Sequence, residues 1–308
     1  MHVLVTGSSG LIGTPLVSAL VDRGDRVTRL VRGSSAPGRG PAGVGDVAWD
    51  PAAGTVDTAA LEVTGPIDGV VHLAGAGVGD KRWSPARKEV ILSSRTDGTR
   101  LLAATLAALP APPAVLVSSS AVGYYGDRGA DVLEEGSGSG AGFLAGVCVA
   151  WEGATAPAVD AGIRTVLLRT GIVLSAAGGA LGKQLPLFRL GLGGRIGSGR
   201  QYRSWITLDD QVAAILHCLG DSSLSGPVNA TGPDPATDAA LAKALGDALH
   251  RPTFLAVPAP ALKLALGSEM ATDMVLSSQR VVPAKLVASG FTFAHTDLDE
   301  AVRSVLGR

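Results

Sequence analysis

A glycine-rich turn directly after the first apolar run constrains this chain more than any other feature. Val3 to Val5 has the pattern of a buried strand, and an amphipathic helix is predicted from Leu11 to Asp22. Between them the glycines recur at three-residue spacing, which permits a tight turn and lets a backbone approach a pyrophosphate closely. Free N–H groups at a helix start attract that anion. We therefore predict dinucleotide binding by Gly7, Ser9, Gly10, Leu11, Ile12 and Gly13; the alternative is a turn that binds nothing.

Strand-like and helical patterns alternate through the first 174 residues. Long helices are predicted from Lys88 to Leu109 and from Phe143 to Ala161. Such alternation indicates an α/β fold, a Rossmann doubly wound parallel sheet. We expect a dinucleotide-binding domain over residues 1–174 and a smaller C-terminal α/β substrate or cap domain over 175–308, with some elements shared. The further strands are predicted at Val3 to Val5, Arg26 to Val31, Val70 to Leu73, Ala114 to Ser118, Thr165 to Leu168, Pro227 to Asn229 and Phe254 to Val257.

The end of the second strand bears on the choice of cofactor. NAD-preferring sites often place an acidic residue there, on the ribose 2′-hydroxyl. This chain instead has Arg32, followed by a Gly-, Pro- and Ser-rich stretch from Gly33 to Gly45 that is predicted to be a surface loop. A guanidinium suits a 2′-phosphate, so NADP(H) is expected in preference to NAD(H). The alternative is a solvated surface arginine.

Charge and cysteine content exclude several classes of function. The formal net charge of −1 over 308 residues gives no electrostatic reason to expect a nucleic-acid or anionic-membrane partner. Cys148 and Cys218 lie far apart in apolar stretches, so buried free thiols are expected, and the scattered histidines predict no metal site. No signal-peptide pattern or spanning apolar run is present, and a cytoplasmic location is expected.

Motifs along nearly the whole chain resemble the extended branch of the short-chain dehydrogenase/reductase superfamily. Within it, the chain is similar to NAD(P)-dependent epimerase-like proteins with a C-terminal domain of unassigned function. The motifs that carry the resemblance are Thr6 to Gly13, His72 to Ala76, Ser93 to Thr96 with Thr99, Ser118 to Gly126, Trp151-Glu152, Arg169 to Leu174, Arg203 to Ile206 with Asp209-Asp210, Leu276 to Pro283 with Leu286, and Gly290 to Phe293.

The resemblance implies roles for residues at the ends of three strands. Leu73, Ala74, Gly75 and Ala76 would line the cofactor after the fourth strand. Ser118 to Ser120 would lie beside the nicotinamide, with Gly171 and Ile172 on its other side. In active members of the family, the residue matching Ser120 cooperates with a Tyr-x-x-x-Lys pair about 25 residues later. The lysine of that pair lowers the pKa of the tyrosine and binds the nicotinamide ribose.

That pair has no counterpart in the expected window, Phe143 to Cys148, which contains neither tyrosine nor lysine. Tyr124 or Tyr125 could reach the nicotinamide from the preceding loop and donate a proton, although an unperturbed tyrosine is almost fully protonated at pH 7. The catalytic candidates are therefore Ser120, Tyr125 and Tyr124. For the tyrosines, aromatic packing is the alternative.

The substrate candidates are Arg203, Trp205 and Arg82. Arg203 and Trp205 follow the glycine-rich run Gly191 to Gly199, in a stretch that faces the substrate in related epimerases, and Arg82 follows the fourth strand. A structural salt bridge of Arg203 to Asp209 or Asp210 is the alternative. Glu134-Glu135 is predicted to be a solvated turn, and His72 a hydrogen-bonded core residue.

Two classes of function fit this sequence. One is an NADP(H)-dependent oxidoreductase or epimerase-like enzyme acting on a small polar substrate, as a monomer or homodimer. The other is a non-catalytic NADP(H)-binding sensor or scaffold. The glycine turn and Arg32 fit both. Phe143 and Val147, in place of the usual tyrosine and lysine, favour the second, whereas Ser120, Tyr125 and Arg203 favour the enzyme, which is the leading hypothesis.

Overall fold

The computed structural model describes residues 1–33 and 44–308. A sheet of parallel strands lies at the centre of this part of the chain. Its seven parallel strands are β1 (His2–Thr6), β2 (Arg26–Val31), β3 (Val44–Asp50), β4 (Gly69–His72), β5 (Val115–Ala121), β6 (Arg164–Thr170) and β7 (Gly226–Ala230). Their spatial order is β7-β6-β5-β4-β1-β2-β3, and the short strand Thr55–Val56 pairs antiparallel with β3. The chain reverses its direction of travel between β1 and β4, where doubly wound sheets bind ligands. The predicted fold class is confirmed.

Twelve α-helices connect and cover these strands within the described residues. They are α1 (Gly13–Asp22), α2 (Thr58–Val63), α3 (Pro85–Ala107), α4 (Phe143–Gly153), α5 (Ala156–Asp160), α6 (Gly179–Arg189), α7 (Leu208–Gly220), α8 (Asp238–Leu249), α9 (Ala259–Leu266), α10 (Ser268–Met270), α11 (Ala284–Ala288) and α12 (Leu298–Val305). A 3₁₀ turn covers Val122–Tyr125 and a π-helical turn covers Ala271–Leu276. The other short strands are Val132–Leu133, Ile172–Leu174, Gly194–Ile196, Tyr202–Arg203, Trp205–Thr207, Ala236–Thr237, Leu255–Val257 and Arg280–Val281.

Side-chain alternation along the strands places helices on both faces of the sheet. Val3 and Val5 of β1 pack in one apolar cluster with side chains of α1 and α7. Leu4, between them, packs in a second cluster with Leu102 and Leu106 of α3 and with α5. Successive residues of a strand point to opposite faces, so a strand covered on both sides is apolar throughout.

A third apolar cluster forms a smaller lobe from the C-terminal half. It joins α6, α8 and α12 around Trp205. The same half also supplies β7, which pairs with β6 in the main sheet. The two parts therefore share the sheet, and the division at residue 174 stays a prediction.

Two predicted segment boundaries are wrong for local reasons. The helix predicted from Phe143 to Ala161 is two helices, α4 and α5, with a break at Ala154–Thr155. Pro157 explains the break, because its ring would clash with the carbonyl of Gly153 in a continuous helix. Gly45, predicted to lie in a loop, belongs to β3; residues 34–43 of that loop are outside the described part of the chain.

His72 has the hydrogen-bond partners expected of a buried core residue. The imidazole of His72 is fully buried between two threonine hydroxyls, with Nδ1 2.7 Å from Thr6 Oγ1 and Nε2 2.9 Å from Thr99 Oγ1. Burial lowers the pKa of His72 to about 4, so the ring is neutral near pH 7. The predicted core role of His72 is confirmed.

Cys148 and Cys218 are buried free thiols, as predicted. No helix in the described residues is long and apolar enough to cross a membrane. Within the same residues, no cluster of three or more His, Cys, Asp or Glu side chains is arranged to hold a metal ion.

Candidate active site at the carboxyl edge of the sheet

The glycine turn between β1 and α1 is packed too tightly for side chains. Gly7 has a φ of +67°, and a Cβ there would lie 2.7 Å from the carbonyl carbon of Leu73. A Cβ on Gly13 would lie 2.1 Å from the carbonyl oxygen of Gly7, which also accepts the N–H of Gly10 at 3.0 Å. No side chain caps the start of α1 at Ile12. The start of the helix is thus available to a diphosphate.

The segment after β4 lies directly against this turn. The N–H groups of Leu73 and Ala74 donate to Thr6 Oγ1 at 3.1 and 3.2 Å, and that of Ala76 donates to Ser94 Oγ at 3.1 Å. These bonds fix the backbone of residues 73–76 beside the glycine turn. The structure brings together the two segments that the sequence assigns to the cofactor.

Arg32 is exposed at the end of β2. A cleft of about 360 Å³ opens next to it, lined by Gly33, Ala48, Trp49, Asp50, Thr55, Val56 and Asp57. No carboxylate pairs with Arg32 in residues 1–33 or 44–308. The geometry leaves its guanidinium available to an anion beside a cleft at the carboxyl edge.

Ser120 belongs to a buried charged network at the end of β5. Its hydroxyl donates to Glu152 Oε1 at 2.6 Å. Arg169 donates two hydrogen bonds of 2.8 Å to the same carboxylate, from Nε to Oε1 and from Nη2 to Oε2. Burial alone would lower the pKa of Arg169, but its hydrogen bonds to Glu152 and Tyr125 raise it above the usual range. The serine proton is therefore directed at a carboxylate that an arginine holds in place.

Ser118, two residues earlier on β5, differs from Ser120 in its hydrogen bonding. Its side chain is 1% exposed, and its Oγ has no hydrogen-bond partner among the described residues. A buried polar atom without a partner costs free energy, on the order of 1–3 kcal/mol. This unpaired hydroxyl lies in the segment that the sequence assigns to the cofactor.

The two candidate tyrosines lie in the 3₁₀ turn that follows β5. Tyr125 is fully buried; its hydroxyl donates to Asn229 Oδ1 at 2.7 Å and accepts from Arg169 Nη1 at 3.1 Å. Burial raises the pKa of Tyr125. Tyr124 is half-buried, with the Arg169 guanidinium 3.5 Å from its ring centroid. These contacts favour the packing alternative for both rings.

The window that lacks tyrosine and lysine begins α4. The N–H of Phe143 donates to Asp273 Oδ2 at 2.8 Å, and its ring packs edge-on against Trp83 with the centroids 4.9 Å apart. Val147 is buried, and burial raises the pKa of Cys148 to about 11. None of these side chains supplies a cation or a phenol.

Arg203 and Trp205 lie inside the smaller lobe. Arg203 is 7% exposed and pairs with Asp238 at 3.2 Å, so the predicted alternative partners Asp209 and Asp210 are wrong. Trp205 is 1% exposed, and its Nε1 donates to the carbonyl of Asp234 at 3.0 Å. Interior partners favour structural roles for both.

Arg82, the third substrate candidate, is exposed on the loop before α3. Glu135, predicted to lie in a solvated turn, is instead buried, and its Oε1 accepts the N–H groups of Asn229 and Lys285 at 3.1 Å each. The prediction for Glu135 is wrong because strands and loops far apart in sequence bury it.

The segment after β6 approaches other backbone closely. The N–H of Gly171 donates to Ala230 O at 3.0 Å and that of Ile172 to Ser204 O at 2.7 Å. A Cβ on Gly171 would lie 2.4 Å from Ser204 O. Sequence reasoning missed the roles of Glu152 and Arg169, although a charged residue inside an otherwise apolar strand such as β6 was a usable signal.

The sheet order and the glycine turn define a Rossmann-like protein with an extended short-chain dehydrogenase/reductase-like fold. The chain belongs to the NAD-dependent epimerase/dehydratase family, whose family model matches residues 3–229. Residues 257–305 match a domain of unknown function, DUF1731. The resemblance seen in the sequence is confirmed.

Known relatives cover nearly the full length of the chain. It is 45% identical to epimerase family protein MT2273 of Mycobacterium tuberculosis over 97% of this chain and 96% of that protein. It is 38% identical to the chloroplastic SDR39U1 homologue of Arabidopsis thaliana over 99% of this chain and 87% of that protein. A crystal structure of human epimerase family protein SDR39U1 with NADPH superposes with a TM-score of 0.89 at 32% identity, covering 100% of both chains.

Proposed function

We propose that this chain is an NADP(H)-dependent oxidoreductase or epimerase-like enzyme that acts on a small polar substrate. The observation that carries the proposal is the glycine turn, where Gly7 and Gly13 leave no room for a Cβ beside an uncapped helix start. The similar human protein, crystallised with NADPH, supports the cofactor class. The bound cofactor would supply the hydride chemistry. We propose a monomer or homodimer in the cytoplasm, although the Arabidopsis relative is named as chloroplastic.

Arg32 is proposed to select the 2′-phosphate, with NAD(H) as the weaker ligand. A charge-assisted hydrogen bond contributes about 1.5–3 kcal/mol, so Arg32→Asp should weaken NADPH binding by about tenfold or more and leave NADH binding nearly unchanged. The measurement is titration of both nucleotides by intrinsic fluorescence. Arg303→Asp, at an exposed position of α12, is the matched control. Equal loss of both nucleotides in Arg32→Asp would refute the 2′-phosphate role.

Ser120 is the residue proposed to hold a substrate hydroxyl. Since its own proton is directed at Glu152, its oxygen can accept a hydrogen bond from a substrate alcohol. A turnover screen tests this: protein with NADPH, or with NADP⁺, in a small-metabolite extract, followed by absorbance and metabolite masses. Ser120→Ala should abolish a change that Ser304→Ala, at an exposed position of α12, preserves, while both keep NADPH affinity. Unchanged turnover in Ser120→Ala would overturn the role.

A second candidate function is a non-catalytic NADP(H)-binding sensor or scaffold. The observation that favours it is the absence of a phenol or a cation in the window Phe143 to Cys148, together with the internal partners of Tyr125. The same screen separates the two. Tight NADPH binding with no metabolite change in any extract supports the sensor, and a changed metabolite excludes it.

A further inference from the structure

Arg95, on α3, is a cation placed between the cofactor-lining segment and α4. Its Nη1 donates to the carbonyls of Ala76 at 2.9 Å and Ile91 at 3.1 Å. Its guanidinium carbon lies 4.9 Å from the ring centroid of Trp151 on α4. A Cβ on Gly75 would lie 3.5 Å from the same carbon. The guanidinium is therefore fixed against the backbone of Gly75 and Ala76.

This cation has no carboxylate to neutralise it. No acidic side chain pairs with Arg95 anywhere in residues 1–33 and 44–308. Burial lowers the pKa of Arg95, and the nearby charge of Arg87 lowers it further. Placing a charge in a largely buried position without an opposite charge is costly, so such a group fits a site that a polar ligand completes.

The free donors of Arg95 are its Nε and Nη2. Neither forms a hydrogen bond with another described residue, and neither is among the polar atoms sealed from solvent. A guanidinium offers five N–H donors in a planar fork, and here only Nη1 is used by the protein. The three N–H groups on Nε and Nη2 remain for a ligand with several acceptors, such as a vicinal diol.

Arg95 faces α4, the helix on which the family's lysine is expected. Cys148, in the window where the lysine is expected, donates its Sγ–H to Ala121 O at 3.7 Å, at the end of β5. Burial, the larger effect, raises the pKa of Cys148, and the positive charge of Arg95 lowers it. A cation from α3 therefore packs against α4 at Trp151, one helical turn after Val147 in the window where the family's lysine is expected.

We propose that Arg95 binds the nicotinamide-side ribose of the cofactor through Nε and Nη2, and so supplies from α3 the cation that α4 lacks. The inference rests on the proposed NADP(H) binding. It extends that proposal because it assigns a cofactor contact to a residue outside the glycine turn, the β2 end and the strand termini. Arg95 would bind and orient the cofactor, and it takes no part in proton transfer.

Three ligands that differ in length test the assignment. NADPH and 2′-phospho-ADP-ribose both contain the second ribose, whereas 2′,5′-ADP ends before it. Arg95→Gln should weaken the first two by about tenfold or more and leave 2′,5′-ADP unchanged. Arg95→Lys should recover part of the loss. Arg100→Gln, at an exposed position on the same helix, is the matched control and should change none of the three.

Each alternative outcome has a distinct meaning. If wild-type protein binds none of the three ligands, the proposed NADP(H) function fails and Arg95 has no role in it. If wild type binds them and Arg95→Gln weakens all three equally, or none, the ribose contact is refuted while NADP(H) binding stands. If Arg95→Gln does not fold, Arg95→Lys decides. A loss of affinity of about threefold or more for the two longer ligands alone supports the contact. If the affinities for all three ligands are unchanged, or fall by the same factor, the contact is overturned.

Discussion

Replacing Gly13 by alanine tests whether the glycine turn is shaped as the structure shows. The new Cβ would lie 2.1 Å from the carbonyl oxygen of Gly7, where ordinary contact begins near 3.4 Å. The turn must open by more than 1 Å, which also breaks the bond from Gly10 N–H to that oxygen. Overpacking of this kind costs about 1–3 kcal/mol and the lost hydrogen bond about 1 kcal/mol, against about 0.5–1 kcal/mol gained from alanine in a helix. We expect Gly13→Ala to lose about 2 kcal/mol of stability.

Gly146, within α4, is the matched control. It is exposed, nothing lies within 4 Å of a Cβ built there, and its own N–H donates to Gly142 O at 3.1 Å. Gly146→Ala should therefore stabilise the protein by about 0.5–1 kcal/mol. Urea unfolding measures the free energy of both variants, and NADPH titration measures binding, which Gly13→Ala alone should impair. Equal stability and equal NADPH affinity in the two variants would refute the steric reasoning.

Two further predictions concern buried polar groups. The pKa of His72 is near 4 in the folded protein and about 6.5 in an unfolded chain, so its contribution to stability is complete above pH 6.5 and is lost as the pH falls towards 4. The unfolding free energy of His72→Gln, measured from pH 7.5 to 4.5, should decline less steeply than that of wild type; parallel curves would contradict this. Tyr125→Phe leaves Asn229 Oδ1 without its donor and should cost about 1–3 kcal/mol by urea unfolding. If Tyr125 is structural, NADPH affinity and per-molecule turnover stay unchanged; a selective loss of turnover would restore its catalytic candidacy.

Local patterns in the sequence predicted much of the fold. The bounds of β2 are those expected, Arg26–Val31, and the first helix differs only in beginning at Gly13. The long helix α3 begins at Pro85, three residues before the predicted start, because Ser84 caps it through the Arg87 N–H at 3.1 Å. Such errors are local, because capping and proline effects act within one helical turn.

The surroundings of the charged residues were harder to predict. Arg203 was expected to contact substrate or the nearby Asp209 or Asp210, and its partner is Asp238 in α8. Glu135 was expected in solvent and is buried under residues near the C-terminus. A spacing pattern shows which face of an element a residue occupies, but it does not show which distant element covers that face.

The sequence by itself determined the glycine turn, the parallel α/β architecture and the family. It could do so because a glycine turn and the periodicities of strands and helices are set by neighbouring residues. Only the tertiary structure decided that Ser120 donates to Glu152 and that Tyr125 is buried against Asn229, 104 residues away. It alone placed the cation of Arg95 beside Gly75. The physical reason is that burial and hydrogen-bond partners depend on long-range packing, which no local pattern encodes.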